Sequence, residues 1–550
     1  MLLIECSKIK KYFGDRLLLD IDNLKIYSED RIGIVGANGA GKTTLMNILC
    51  RRLEPDEGWV KLYGNYSYIT QLEEPEAKSI SDELASKLSI EAVWRENMSG
   101  GEETRFKLAV ALAGDPPLVL ADEPTCNVDM EGIQLMAERL QEYKGVLIVI
   151  SHDRSFLDKL CNKILEIENS EIKIYHGNYS HYRDQKIQER ERAVFEYEAY
   201  MKEKRRLEEI MKDTKQKAKS IRKAPKRMGN SEARLHKMGN QRAKANLEKA
   251  VKNAENRMKH LEAKDKPKKE KRIQFDIMDA DRLHSKIIIA GKNINKTFGN
   301  KMIFKDAEFN IYNGSKIGLI GPNGCGKSTL IKMIMENDKG IEVAQGASIG
   351  YFSQDMDILD EKVSIIENIM ESSIYPENFA RLLLARLLFK REAVYKKIAV
   401  LSGGERVKVS FAKILLQDIN LLILDEPTNF IDINALEAIE EALQDYDRTL
   451  LFVSHDRSFV DAVANHIMTI ENHKIKISPG NYTAYLASKN KSLDAEEEEI
   501  EKKIFILKNR LSEVIGRLSI PSKKDDVAAL DKEYHEILGE LDRLKDRQEL

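Results

Sequence analysis

Arg31-Ile-Gly-Ile-Val35 runs directly into Gly36-Ala-Asn-Gly-Ala-Gly-Lys42-Thr43, which is followed by Thr44-Leu-Met-Asn-Ile-Leu49. An apolar run, a glycine-rich turn that fits GxxxxGK[ST] in full and a helical pattern make strand, loop and helix in that order. This is the setting that a phosphate-binding loop requires. Backbone N–H groups cradle the phosphates, the Lys42 ammonium reaches the outer phosphates, and the Thr43 hydroxyl is placed for Mg2+.

The same motif returns as Gly321-Pro-Asn-Gly-Cys-Gly-Lys327-Ser328, and other segments return with it. Leu118-Val-Leu-Ala-Asp122-Glu123-Pro-Thr matches Leu421-Leu-Ile-Leu-Asp425-Glu426-Pro-Thr, and Ser99-Gly-Gly-Glu102 matches Ser402-Gly-Gly-Glu405. Ser151-His152-Asp-Arg matches Ser454-His455-Asp-Arg, and Gly177-Asn-Tyr179 matches Gly480-Asn-Tyr482. The chain is a tandem duplication. The copies are offset by 285 residues at Lys42 and Lys327, by 283 at Gln71 and Gln354, and by 303 from Ser99 and Ser402 onward. The second copy therefore carries 20 extra residues between Gln354 and Ser402, with a helical pattern around Asn378–Lys390.

Between the copies, Lys186–Arg272 holds 29 Lys and Arg against 14 Asp and Glu, in a chain whose net charge is only -2. Leu247, Val251, Ala254, Met258 and Leu261 alternate in steps of four and three, the spacing of a coiled-coil seam. Ile187, Val194, Tyr197, Met201, Leu207 and Met211 give a looser stripe, and Pro225 and Gly229 break the pattern between them. The spacing predicts two long antiparallel helices, the first over 186–218, joined by a basic loop. Lys212–Lys244 contains 12 basic residues against Asp213 and Glu232 alone. Like charge gathered at the end of a hairpin repels itself unless a polyanion neutralises it, which points to a nucleic-acid-contacting tip. A solvated spacer between two domains is the competing reading of the shafts.

Five cysteines lie far apart with no CxxC pair, which argues against a disulfide framework or a cysteine zinc site and fits a cytoplasmic protein. The amino-terminal residues read as a strand rather than a signal peptide, and no segment approaches about 20 apolar residues in a row. After Tyr482, two further seams form a carboxy-terminal helical hairpin. Ile500, Ile504, Leu507, Leu511, Val514 and Leu518 make one, and Val527, Leu530, Tyr534, Ile537, Leu541 and Leu544 the other.

A phosphate loop, a glutamine, Ser-Gly-Gly-Glu, an apolar strand ending Asp-Glu-Pro-Thr and a Ser-His-Asp, in that order and twice over, resemble an ABC-type ATPase domain. Two such domains without a membrane segment, joined by a basic helical hairpin, resemble the ABC-F family, and its short-armed antibiotic-resistance branch. The resemblance implies an α/β fold of two tandem P-loop ATPase domains. The boundaries expected are 1–185 and 286–488 for these domains, 186–285 for the linker with its tip at about 218–232, and 489–550 for the extension. It implies ATP and Mg2+ as cofactors and a monomer whose halves close on each other.

In such a closure Lys42 and Thr43 share one ATP with Ser402, Gly403 and Gly404, while Lys327 and Ser328 share the other with Ser99, Gly100 and Gly101. Asp122 and Asp425 hold Mg2+ with Thr43 and Ser328. Glu123 and Glu426 act as general bases, His152 and His455 contact the γ-phosphate, and Gln71 and Gln354 sense metal and water. Further ATP contacts are expected from Gly36, Asn38, Gly39, Gly41, Thr44, Gly321, Asn323, Gly324, Gly326, Thr329, Glu102 and Glu405. Tyr12 and Phe298 are placed to stack on adenine, with Phe13 competing for the first role. The sequence departs from the family pattern at Cys126-Asn-Val-Asp129 and Asn429-Phe-Ile-Asp432.

The function implied is ATP-driven protection of the bacterial ribosome, with 23S rRNA and P-site tRNA as partners and no membrane. The tip residues Lys219, Ile221, Arg222, Lys223, Pro225, Lys226, Arg227 and Met228 would reach toward the peptidyl-transferase centre from the tRNA exit site. The drugs suggested are lincosamides, pleuromutilins and streptogramin A. A translation factor that relieves stalled ribosomes uses the same residues, and the ATPase subunit of a membrane transporter is the reading from another class.

Overall fold

The computed structural model describes residues 1–70, 73–75, 77–95, 98–220, 230–261, 264, 285–299, 301–353, 358–389, 391–428 and 431–491, and further on 503, 507–508, 510–511, 514–515, 532 and 534–541. Contacts gather the chain into two compact units. One comprises Met1–Tyr68, Pro116–Asp122 and Tyr143–Arg272; the other comprises Ile69–Asp115, Glu123–Glu142 and Ile273–Leu550. The repeat in the sequence and the compact units thus divide the chain differently. The helices Asp82–Lys87, Gly100–Ala113 and Met130–Glu142 come from the first copy but belong to the second unit.

The first unit is built on a nine-stranded sheet. At its centre Lys163–Glu168, Arg31–Gly36, Val146–Ile150 and Leu118–Asp122 lie side by side and parallel. Val146–Ile150 and Leu118–Asp122 are buried at every position, which is why they read as unbroken apolar runs. Leu2–Phe13, Arg16–Tyr27 and Glu57–Leu62 add an antiparallel flank. Out of the central strand Arg31–Gly36 the chain turns into the helix Lys42–Leu49 through Gly41, whose φ is 99°. A Cβ there would come within 3.0 Å of Leu18, so conformation and space both require glycine.

Two helices extend from this unit, Tyr179–Ser220 with 42 residues and Asn230–His260 with 31. Lys215 pairs with Glu255 and Lys264 with Glu196, the order of an antiparallel pair. Leu207, Val251 and Ala254 are buried in the seam that their spacing predicted. The first helix begins seven residues earlier than the expected start at 186. The Asn178 carboxamide accepts from the His181 N–H at 3.1 Å, and Asp158 accepts from the Ser180 N–H at 2.7 Å. These caps start the helix at the sheet itself. At 1.5 Å per residue it is about 60 Å long. Lys219 is exposed in its last turn, whereas Ile221, Arg222, Lys223, Pro225, Lys226, Arg227 and Met228 lie outside the described residues.

In the second unit a six-stranded sheet holds the parallel strands Ile349–Phe352, Leu421–Asp425, Thr449–Val453, Lys316–Ile320 and His466–Glu471, with Lys474–Pro479 antiparallel at its edge. A three-stranded antiparallel sheet of Ile287–Phe298, Lys301–Tyr312 and Ile341–Val343 accompanies it. Gly326, at φ 116°, opens the helix Lys327–Met335 as Gly41 does in the other copy. The 20 extra residues supply the helix Glu377–Arg386, anchored by the fully buried Leu383 and Leu384. Of the carboxy-terminal seams, Val514, Ile537 and Leu541 are buried together against Leu507, Leu511 and Tyr534.

Phe452 is completely buried and meets Phe459 edge-on at 5.4 Å. Phe452→Ala should lower the stability of this unit by about 3–5 kcal/mol, read from urea unfolding; a loss below about 1 kcal/mol would show the core collapsing around the cavity.

Candidate nucleotide site

Each phosphate loop is pre-shaped around its lysine. The Lys327 ammonium donates to the carbonyls of Gly321 at 2.8 Å and Pro322 at 3.1 Å, and Lys42 donates to Gly36 at 2.8 Å. Both lysines are buried, while the neighbouring Thr43 and Ser328 are exposed and Thr44 and Thr329 half-buried. The loops thus keep a cation inside and present hydroxyls and the exposed Asn38, Gly39, Asn323 and Gly324 outside.

The carboxylates arrive at the end of an apolar strand. Leu421–Leu424 is fully buried and Asp425 emerges half-buried. The Ser328 hydroxyl bonds Asp425, whose pKa is raised by burial, opposed by Lys327 and Lys332. Next in the chain, Glu426 has φ 50°, and its N–H donates to the Val453 carbonyl at 3.1 Å. Glu123 also has φ 50°. A non-glycine residue held there stores about 1–3 kcal/mol of backbone strain, so each copy maintains the same costly turn at the same residue. Burial pushes the Glu426 carboxyl up to about 7, against the pull of Lys327. His455 Nε2 lies 3.1 Å from Glu426 Oε1. Burial and the Lys327 charge push His455 down to about 4, so the contact is a hydrogen bond from a neutral ring rather than an ion pair.

The helix Gly100–Ala113 starts at Ser99 with a complete capping box. Ser99 Oγ accepts from the Glu102 N–H at 3.3 Å, and the Glu102 carboxylate accepts from the Ser99 N–H at 2.8 Å. Ser402 and Glu405 repeat the arrangement. Glu102 and Glu405 are therefore turned back on their own caps, a role that the spacing Ser-x-x-Glu carries. A Cβ on Gly101 would stand 3.4 Å from Asn323 Nδ2 and 3.3 Å from the Asn127 carbonyl, so this helix N-terminus faces the second phosphate loop and leaves little room for a side chain. Within the second unit, Gly101 is thus brought beside Asn323 of the loop Gly321–Ser328.

The contact is sealed by a residue that the motif reading passed over. Asp129 Oδ2 accepts from the Asn323 backbone N–H at 3.0 Å, and Asn323 Nδ2 donates to the Asn127 carbonyl at 3.1 Å. Burial works against the Asp129 charge. The N–H groups of Asn323 and Gly132, with His455 and Arg105, outweigh it and hold the carboxyl below its usual range. The signal available in the sequence was the repeat itself, since Asp129 and Asp432 occupy equivalent places in otherwise divergent loops. Asp432 accepts from the Ala435 N–H at 3.0 Å, as Asp129 does from the Gly132 N–H at 2.9 Å, and also forms a buried ion pair with Lys408.

Tyr12 and Phe298 stand 39% and 56% exposed at strand ends, open to a planar ligand, and Phe13 is more exposed still at 82%. Gln71 and Gln354 lie outside the described residues, and His152 is half-buried at the mouth of the helix Arg154–Leu160. Among the described residues no three of His, Cys, Asp and Glu converge as a metal cage. Ser328 and Asp425 nevertheless form a hydroxyl–carboxylate pair of hard oxygens, and Glu426 Oε2 beside them is buried without a hydrogen-bond partner among the described residues. That donor set suits Mg2+ bound together with nucleotide phosphates. Charge-assisted hydrogen bonds contribute about 1.5–3 kcal/mol. Asp129→Ala should accordingly weaken ATP binding by about 10- to 100-fold at the second loop, measured by equilibrium titration; unchanged affinity would remove Asp129 from the site.

A family model described as ABC transporter matches residues 19–84 and 304–429, and a second model of the same description matches 165–240. The chain is 34% identical to the erythromycin resistance ATP-binding protein MsrA of Staphylococcus epidermidis, across 84% of this chain and 96% of that one. It is 31% identical to the ribosome protection protein VmlR of Bacillus subtilis (strain 168), across 98% of both. Among solved structures, an RNase-L inhibitor superposes with a TM-score of 0.57 over 88% of this chain and 93% of that one, at 19% identity, which speaks to the fold. With two such sites on two tandem ABC domains, the chain is an ATPase and belongs to the ABC-F-type family.

Proposed function

We propose that this ATPase protects the ribosome from antibiotics that act on the large subunit. The observation that carries the reading is the 42-residue helix Tyr179–Ser220, which leads from an ATPase sheet to a basic segment at Lys212–Lys244. A shaft of that length ending in a segment with 12 basic residues against two acids suits a polyanion deep in a cleft, such as rRNA and tRNA beside the peptidyl-transferase centre. Similarity over nearly the whole chain to a protein named for ribosome protection supports the same partner. Among the described residues no helix is long and apolar enough to cross a membrane.

In this reading ATP binding closes the two copies. Lys42 and Thr43 then share a nucleotide with Ser402, Gly403 and Gly404, as Lys327 and Ser328 do with Ser99, Gly100 and Gly101. Ser328 and Asp425 would hold Mg2+ at one site and Thr43 and Asp122 at the other, where the ion would supply charge neutralisation for the phosphates. Glu426 and Glu123 accept the proton of the attacking water, a role that needs the ionised carboxylate. His455 orients Glu426 from 3.1 Å. The closed protein carries the tip toward the drug site, displacing lincosamides, pleuromutilins or streptogramin A, and hydrolysis releases it.

Glu123→Gln combined with Glu426→Gln should keep ATP binding, lower turnover at least about 100-fold and hold the protein on ribosomes. Free protein at the top of a sucrose gradient run with ATP would contradict this. Shortening the loop between Lys219 and Gly229 should leave ATPase activity within about twofold while abolishing protection; protection that survives the deletion would overturn the tip's role.

A further inference from the structure

The nucleotide sites of the two copies are built alike, yet only one copy carries the linker. What distinguishes that copy is a buried polar network at the base of the first shaft helix. Glu166 lies on the strand Lys163–Glu168, opposite Val35 on the strand that runs into the first phosphate loop. Its carboxylate accepts from the Tyr182 hydroxyl at 2.8 Å, the Lys186 ammonium at 2.8 Å and the Tyr175 hydroxyl at 3.3 Å. Tyr175 stands on the next strand and also donates to Glu189 at 3.2 Å, and Glu189 in turn accepts from Lys173 at 2.5 Å. Tyr182, Lys186 and Glu189 are three successive turns of the shaft. The network therefore stitches the helix to the sheet along roughly 10 Å of its length.

The second copy is an internal control. Its helix after Tyr482 starts in the same way, with the Thr483 N–H donated to Asp461 at 2.7 Å just as Ser180 donates to Asp158. Tyr485 and Lys489 stand where Tyr182 and Lys186 do, but Thr469 replaces Glu166 and Ser478 replaces Tyr175. The central acceptor and its second hydroxyl are thus absent from the copy whose helix leads to no linker, where Tyr485 bonds Glu471 at the strand end instead. A buried carboxylate that accepts from several groups fixes one arrangement of the elements that carry them, because a tilt leaves a desolvated charge unpaired, and Glu166 is buried with Tyr175 and Tyr182.

We propose that Glu166 is a positioning residue, and that with Tyr175, Tyr182 and Lys186 it makes the linker's first helix a rigid extension of the first copy's phosphate-loop sheet. The first copy, rather than the second, then directs the tip. The second link is the helix Arg154–Leu160, which begins at Asp153 beside His152 and ends its path at Asp158, bonded to the shaft. A shift at His152 on nucleotide binding reaches the shaft through this helix, and the Glu166 network converts it into movement of the whole hairpin.

The inference rests on the ribosome reading for its functional arm only. The test is Glu166→Thr with Tyr175→Ser, the pair that this fold already accommodates in the second copy. In the free full-length protein, amides of residues 183–192 should exchange with deuterium at least tenfold faster. Basal ATPase activity should stay within twofold of wild type, while ribosome-stimulated turnover falls at least tenfold. Lys186→Arg, which keeps the charge, should retain at least half of the stimulation. Unchanged exchange at 183–192, or an equal fall in basal and stimulated turnover, would overturn the proposal. A wild-type protein that does not respond to ribosomes would strike the ribosome reading instead, and the exchange arm would still decide the role of Glu166.

Discussion

A buried lysine at the end of a parallel sheet sets the terms for everything around it. Lys327 is held by two carbonyls of its own loop, and its charge reaches Asp425, Glu426 and His455 at once. Burying a cation is costly unless acceptors surround it, and here the glycine-rich turn supplies them before any ligand arrives. Burial together with the same charge keeps His455 neutral, and that charge opposes the protonation of Glu426 that burial favours.

The duplication lets each copy serve as a control for the other. The turns at Glu123 and Glu426, the capping boxes at Ser99 and Ser402 and the tethers at Asp158 and Asp461 recur in both copies. They are what the ATPase chemistry and the local fold require. Departures are confined to particular places. At the base of the linker, Glu166 gathers a polar network where Thr469 cannot. Differences between copies that share one fold are therefore the places to look for a division of labour between engine and linker.

Much of this was legible in the residues because the signals are local. The strand–loop–helix at Gly36–Thr43, the unbroken apolar strands and the four–three seam through Val251 and Ala254 each follow from backbone and periodicity alone. The start of the shaft was missed because its first turn is fixed by Asn178 and Asp158 rather than by an apolar stripe. The roles of Asp129 and Glu166 were illegible for another reason. Each depends on which distant segment packs beside it, and a lone carboxylate in a loop or on a strand reads first as solvated. Glu102 was assigned to the nucleotide, yet its own spacing from Ser99 marks a helix cap.

The account stands most directly on drug susceptibility in a susceptible bacterium that expresses this protein, beside the Glu123→Gln, Glu426→Gln form and across ribosome-targeting antibiotics. The account predicts a selective rise in the inhibitory concentration for large-subunit drugs, lost in the double variant. A well-expressed wild-type protein that protects against none of them, with growth arrest caused by the double variant alone, would contradict it and assign the chain to drug-independent work on stalled ribosomes.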